Sequence, residues 1–509
     1  MKRKNIFFTT LNTIYWNIFI FFETCLNLII RNFIYPILSS INYDMDWNNR
    51  LQQNNQDQND LSEDSSTSGD SSSSSSTNNS SDDDMDTMMM LDRDEYVFKA
   101  YDLVKINYKL QKSEEFPVSR SGHRIIASDG HLYSLGGYNP RSARAAARHG
   151  RCLLFQELWS YNFATKKWNL LMDSQTRNMP QELASNALAI HNNLLISHGG
   201  TGYPFGECCS NDCHIFVTGQ HRRVFRLTVE GDLPTAQYGP GIVIHDDYLY
   251  TIGGTTGFDY SCDVYRLNLK TKVWENVYIC RPEMRDDPEG RYRHEVVYDG
   301  NHIFILGGGT SMTVYDLQTI PAFNLKSNTW DYFETKPDPT IRAGMPKPRK
   351  CFSCVQLDTP NGVEAYITGG LQSDFQTYFA DVWKINFRTM QWTLIKTAVL
   401  PRPLYFHSAT TPGNGCMYIF GGIEYNKTAM RRRNDLYKMW MTIPKLSEMC
   451  WDAITFYNPN LDKYKRNYLL KIGIPERFVD RVIEPKSSTI NSNSSASPSL
   501  SKRNLSLTE

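Results

Sequence analysis

Six stretches share one ending: Leu132–Gly137 (LYSLGG), Leu194–Gly200 (LLISHGG), Tyr248–Gly254 (YLYTIGG), Ile303–Gly308 (IFILGG), Ala365–Gly370 (AYITGG) and Met417–Gly422 (MYIFGG). Each is an apolar run with β-branched or aromatic residues that stops at a glycine pair, the pattern of a buried strand ending in a turn with close backbone approach. The first glycines fall at 136, 199, 253, 307, 369 and 421, a spacing of 52 to 63 residues. That period belongs to propeller blades and not to helical repeats.

Downstream of four pairs a strand-like segment runs into a tryptophan: LWSYNFATKKW to Trp168, VYRLNLKTKVW to Trp274, FNLKSNTW to Trp330 and VWKINFRTMQW to Trp392. In three of them an aromatic (Trp159, Tyr265, Trp383) stands nine residues earlier, so the spacing is a register. Bulky rings at fixed register suit the wedge between neighbouring blades of four antiparallel strands. The second unit, VFRLTVEGDLP, lacks the tryptophan, and the sixth ends at Trp440 without a last strand. The segment Glu95–Leu110 (EYVFKAYDLVKINYKL) is the strand-like material that can supply it and close the ring.

These features predict an all-β chain: a six-bladed propeller over residues 94–441, followed by a short C-terminal α-helical segment over 442–485. Residues 45–93, rich in Ser, Asn and Asp with six serines from Ser71 to Ser76, read as a disordered linker, and 486–509 as a disordered tail. Residues 1–44 open with Lys2, Arg3 and Lys4 and an apolar run broken by Asn12 and Asn17; a signal anchor and a start at Met45 are both open, and a membrane role is disfavoured.

The 54 Lys+Arg cancel the 54 Asp+Glu, which gives no case for nucleic-acid binding. Eleven scattered cysteines, an odd count, suggest a reducing compartment, and Cys208, Cys209, Cys213, Cys351 and Cys354 read as free thiols with no metal site and no cofactor. The chain shows no Walker loop, HExxH or GxSxG and so does not read as an enzyme. A copper oxidase on such a ring would need Tyr, His and a cross-linked Cys converging on copper, and no such set can be singled out.

The chain resembles the kelch-repeat family over about 345 residues. GGYNP (136–140), FATKKW (163–168), GGTGYPFGE (199–207), GGTTG (253–257), RYRHE (291–295) and LGGGTS (306–311) are similar to kelch-repeat substrate receptors of cullin-2 ubiquitin ligases. After the ring, Leu446, Cys450 and Ile454 form one stripe of a helix that Pro444 can start and Asn458-Pro459 stops. By itself this is an ordinary amphipathic helix packed under a propeller. It also resembles the elongin C-binding box, and Ile474, Pro475, Phe478 and Val482 resemble the cullin-2 box. The resemblance implies a cytoplasmic and nuclear receptor that docks on elongin B/C and cullin-2. It also leaves a second role open, a non-ligase interaction protein in stress-kinase signalling that inhibits a protein phosphatase.

Propellers bind where loops converge on the central channel. An R-x-x-H register aligns Arg120–His123, Arg291–His294, Arg349–Phe352 and Leu404–His407, and its second position is expected to face that channel. This selects Ser121, Tyr238, Tyr292, Lys350 and Tyr405 as peptide-binding, with Arg291, Arg293 and Arg349 nearby. Tyrosines with a few cations suit a terminal carboxylate, and the resemblance implies C-termini ending in small residues such as Gly or Ala. His123, His294 and His407 read as structural, and Arg431-Arg432-Arg433 as a solvated loop.

Overall fold

The computed structural model describes residues 96–106, 115–142 and 154–483, apart from residues 220, 284, 285, 343, 375, 427 and 428. The expectations for 1–44, 45–93 and 486–509 lie outside them. Among the described residues no helix is long and apolar enough to cross a membrane.

The six glycine-pair units each form a sheet whose strands pair antiparallel, save for a short parallel strand Glu230–Gly231 added beside Val273–Trp274 in the third, and the six sheets make a β-propeller. Blade 1 runs Arg124–Ala127, His131–Leu135, Leu158–Asn162 and Trp168–Met172, and blades 2 to 5 repeat those four strands, with Glu230–Gly231 a fifth in blade 3. Blade 6 has three strands of its own, Ser408–Thr410, Cys416–Phe420 and Leu436–Trp440. Its fourth strand comes from the other end of the chain: Val104 and Lys105 pair antiparallel with Lys438 and Tyr437. The ring therefore closes by hydrogen bonds between its first and last segments, which cover the outer edge of Leu436–Trp440.

Apolar residues are sorted into one cluster per blade interface. Trp168 lies 5.0 Å from the Phe420 ring across the seam, Trp274 lies 5.2 Å from His198 of blade 2, and Trp392 donates to the Leu317 carbonyl of blade 4 at 3.2 Å. The tryptophans thus reach the neighbouring blade, as their register predicted. Blade 2, which lacks one, fills its wedge with Phe216 and Val224. Both glycines of every pair have positive φ. A Cβ on Gly136 would stand 2.3 Å from the Leu183 carbonyl oxygen, and one on Gly200 2.0 Å from that of Glu182, so side chains are excluded by backbone and not by movable groups.

Past the ring, helix α1 spans Leu446–Tyr457, α2 Arg466–Lys471 and α3 Glu476–Val482. They share a core in which Trp451 stacks on Phe478 at 5.1 Å. This core is anchored to blade 1. The buried Arg481 guanidinium bridges Glu448 (2.7 Å) and Asp129 (2.8 Å), and Asn162 Nδ2 donates to the Arg481 and Val482 carbonyls.

Candidate functional site at the centre of the ring

The third position of the register, one per blade, is Gly122, Ser185, Gly239, Arg293, Cys351 and Phe406, and all six have φ between 52 and 71°. That left-handed turn aims each N–H along the ring. Gly122 N donates to Phe406 O, Phe406 to Cys351, Cys351 to Arg293, Arg293 to Gly239, Gly239 to Ser185 and Ser185 back to Gly122, at 2.7 to 3.2 Å. A closed circle of six backbone hydrogen bonds lines the channel. The second-position residues stand just outside it, each pairing with the residue after its glycine pair: Ser121 with Tyr138, Ala184 with Thr201, Tyr238 with Thr255, Tyr292 with Gly309, Lys350 with Leu371 and Tyr405 with Ile423.

Above the circle opens a pocket of about 210 Å3. Of the residues expected to bind peptide, Ser121, Tyr238, Tyr292 and Arg293 line it. The other four are placed elsewhere, each for a clear reason. Arg349 is fully buried and forks onto Asp381 at 2.7 and 3.0 Å while donating to Gly369 O. Arg291 donates to Gly307 O and lies 4.1 Å over the Tyr315 ring. Arg120 does the same with Gly136 O and Glu157, so the register's first arginine braces the next glycine pair in three blades. Lys350 is buried and gives its ammonium to the Thr310 carbonyl at 2.6 Å, and Tyr405 reaches the Met430 sulfur at 3.2 Å. Both hold rim loops. His123, His294 and His407 are buried beneath the preceding glycine pair, the place Phe352 takes in blade 5.

The arginine triplet is corrected by the structure. It belongs to a hairpin, Ile423–Asn426 with Ala429–Arg432, that folds beside Leu404–Tyr405 at the pocket rim. Arg433 is held by Asp435 and Glu424, but Arg432 turns inward, donates to Ser121 Oγ at 3.0 Å and lies 5.3 Å over the Tyr138 ring. A loop reading missed the hairpin because its turn carries no asparagine–glycine signal. Tyr138, which directly follows the first glycine pair, and Phe205, five residues past the second, also line the pocket.

The electrostatics of the pocket are lopsided. Arg293 is 3% exposed, its guanidinium rests on Ser185 Oγ and over the Phe406 ring, and its Nε has no hydrogen-bond acceptor. Burial pushes its pKa down to about 10, so it remains a cation at neutral pH. Among the described residues neither Arg293 nor Arg432 forms an ion pair, and Glu295, whose charge Arg293 feels, is engaged by Arg124 at 2.8 Å. Burial keeps the Tyr238 and Tyr292 hydroxyls protonated, so they can donate. An unpaired buried cation is costly unless an anion completes it. Two arginines, two serine hydroxyls and two tyrosines therefore line one pocket of about 210 Å3, a donor set of the kind from which carboxylates accept charge-assisted hydrogen bonds.

At the helical end, Leu446 is 49% exposed, while Cys450 and Ile454 are half-buried against the ring and the helical core. Phe478 and Val482 are buried, Ile474 is half-buried and Pro475 is exposed. The described cysteines are free thiols, and no group of three His, Cys, Asp or Glu among the described residues is placed to hold a metal ion.

A family profile described as the KLHDC2/KLHL20/DRC7 Kelch-repeats domain matches residues 81–254 and 122–370. The Kelch domain-containing protein 10 homolog of Drosophila melanogaster is 69% identical over 76% of this chain and 66% of its own length. Kelch domain-containing protein 10 of Homo sapiens is 39% identical over 75% of this chain and 83% of its own, and that of Xenopus laevis 40% over 73% and 88%.

Proposed function

Because this chain belongs to the kelch domain-containing protein 10 family, we propose that it is the substrate-recognition subunit of a cullin-2/elongin B/C ubiquitin ligase whose ring captures protein C-termini. The observation that carries the substrate half is Arg293, a buried cation with no acid partner among the described residues at the floor of the central pocket. A main-chain carboxylate completes it by charge-assisted hydrogen bonds, and the preference for small terminal residues such as Gly or Ala is what the resemblance to kelch-repeat ligase receptors implies. The ligase half rests on α1, which leaves the Leu446 side chain half in solvent at the start of the Leu446–Cys450–Ile454 stripe.

One observation favours a rival for that half. Phe478 and Val482 are spent on the core that Arg481 ties to blade 1, as in a helical brace on a plain interaction propeller, including one that inhibits a phosphatase. A pull-down of the full chain against Leu446→Ala/Cys450→Ala, probed for elongin C and cullin-2, separates the two. The receptor reading expects wild type to retain both partners and the variant to lose them at unchanged melting temperature. Binding by neither protein leaves the brace.

A further inference from the structure

We infer that the bound chain leaves the pocket between blades 3 and 4, and that Phe258 and Met312 there read a bulky apolar side chain a few residues before the C-terminus. This rests on the carboxylate reading above and adds a direction and a second specificity element to it. The direction follows from where the cations converge. Arg432 from blade 6 donates to Ser121 Oγ, and Arg293 from blade 4 crosses to Ser185 Oγ, with its Nη2 3.4 Å from where a Cβ on Gly122 would stand. Both guanidiniums thus meet at the blade 1–2 corner, and a carboxylate held there sends its chain toward the opposite wall.

That wall is aromatic and continuous. Tyr238 and Tyr292 pack edge to face at 5.9 Å, and Tyr260 follows at 5.6 Å from Tyr292. Beyond Tyr260 a second cavity of about 610 Å3 opens between blades 3 and 4, which gives the upstream chain room. Phe258, two residues before Tyr260, and Met312, next to the Ser311 whose N–H meets Tyr260 Oη, are 83% and 81% exposed. Single exposed apolar residues are ordinary, but these two stand on loops that are held in place. Ser311 N donates to Tyr260 Oη at 2.9 Å, the Lys350 ammonium caps the Thr310 carbonyl, and Gly257 packs so tightly on Gly206 that a Cβ there would sit 2.8 Å from its Cα. A fixed apolar lip beside an anion pocket fits a peptide whose carboxylate end is small and whose preceding residues are apolar.

The test is fluorescence polarisation on the full chain with serine-rich decapeptides ending Ala-Gly, each bearing one Phe at three, four, five or six residues from the end, or none, as free acids and as amides. We expect one Phe position to tighten the free acid about tenfold, and Phe258→Ser/Met312→Ser to erase that gain while the all-serine peptide binds unchanged. Equal binding of every free acid, or a gain that survives in the variant, overturns the lip and leaves the carboxylate reading intact. Amides that bind as well as acids overturn the carboxylate reading itself. A variant that changes only the oligomeric state, with selectivity kept, makes the lip a contact between copies and also overturns the inference.

Discussion

Arg293 and Arg349 are both buried arginines of the same register, yet their surroundings give opposite signs to the same substitution. Arg349 forks onto Asp381, so Arg349→Met leaves a half-buried carboxylate with Trp383 Nε1 as its remaining side-chain donor and is expected to cost about 2 kcal/mol in unfolding free energy. Arg293 has no acid to abandon. Arg293→Met removes an uncompensated charge from a site lined by Phe406 and is expected to leave stability unchanged or raise it by about 1 kcal/mol, while binding of a free C-terminal peptide falls below detection. Urea unfolding and peptide binding, measured on both variants, check the pair. A destabilised Arg293→Met would make that arginine structural like its neighbours.

At the scale of the blade, the repeat was legible because its signals are local: an apolar run, two glycines and a tryptophan at fixed distance. The circle of backbone bonds was not, because its third-position residues are Gly, Ser, Gly, Arg, Cys and Phe, types that share a left-handed turn and nothing else. Nor could sequence separate an arginine that braces a glycine pair from one that faces the channel, since both lie within three residues of each other in Arg291-Tyr292-Arg293. The fourth position was legible as a recurrence, and its burial makes a prediction. Desolvation lowers His294 and His407 to about 3 and His123 well below its usual value, so all are neutral in the fold. The unfolded chain takes up a proton near pH 6.5 and the folded one does not, so stability is full above that pH and is lost as pH falls from 6.5 toward 3. His294→Phe, which copies Phe352 of blade 5, is expected to remove on the order of 2 kcal/mol of the loss between pH 7 and pH 5. A melting temperature whose pH slope is the same in the variant would exclude this histidine as a source of acid lability.

For the whole molecule the decisive contacts are those between its two ends. The segment before blade 1 does more than pair two residues: Tyr101 N donates to Trp440 O and Ile106 N to Leu436 O, both at 2.8 Å, and Tyr96 and Phe98 are buried in the cluster between blades 6 and 1. Tyr96 also donates to Asp452 of α1 at 3.0 Å, and Asp452 holds Lys438 of blade 6 at 2.8 Å, so strand, last blade and helical segment meet at one point. Losing two buried aromatics forfeits about 2 kcal/mol each, and the exposed edge of Leu436–Trp440 adds to that. A chain beginning at residue 107 is therefore expected to melt about 5 °C below one beginning at residue 95, or to aggregate through that edge. Because the missing piece is a strand and not a fold of its own, an excess of a peptide covering residues 95–110 should restore most of the difference. Rescue in calorimetry, together with a return to a single transition, would show that closure of the ring holds six blades in one cooperative unit. Equal melting temperatures without the peptide would mean that the blade interfaces suffice by themselves.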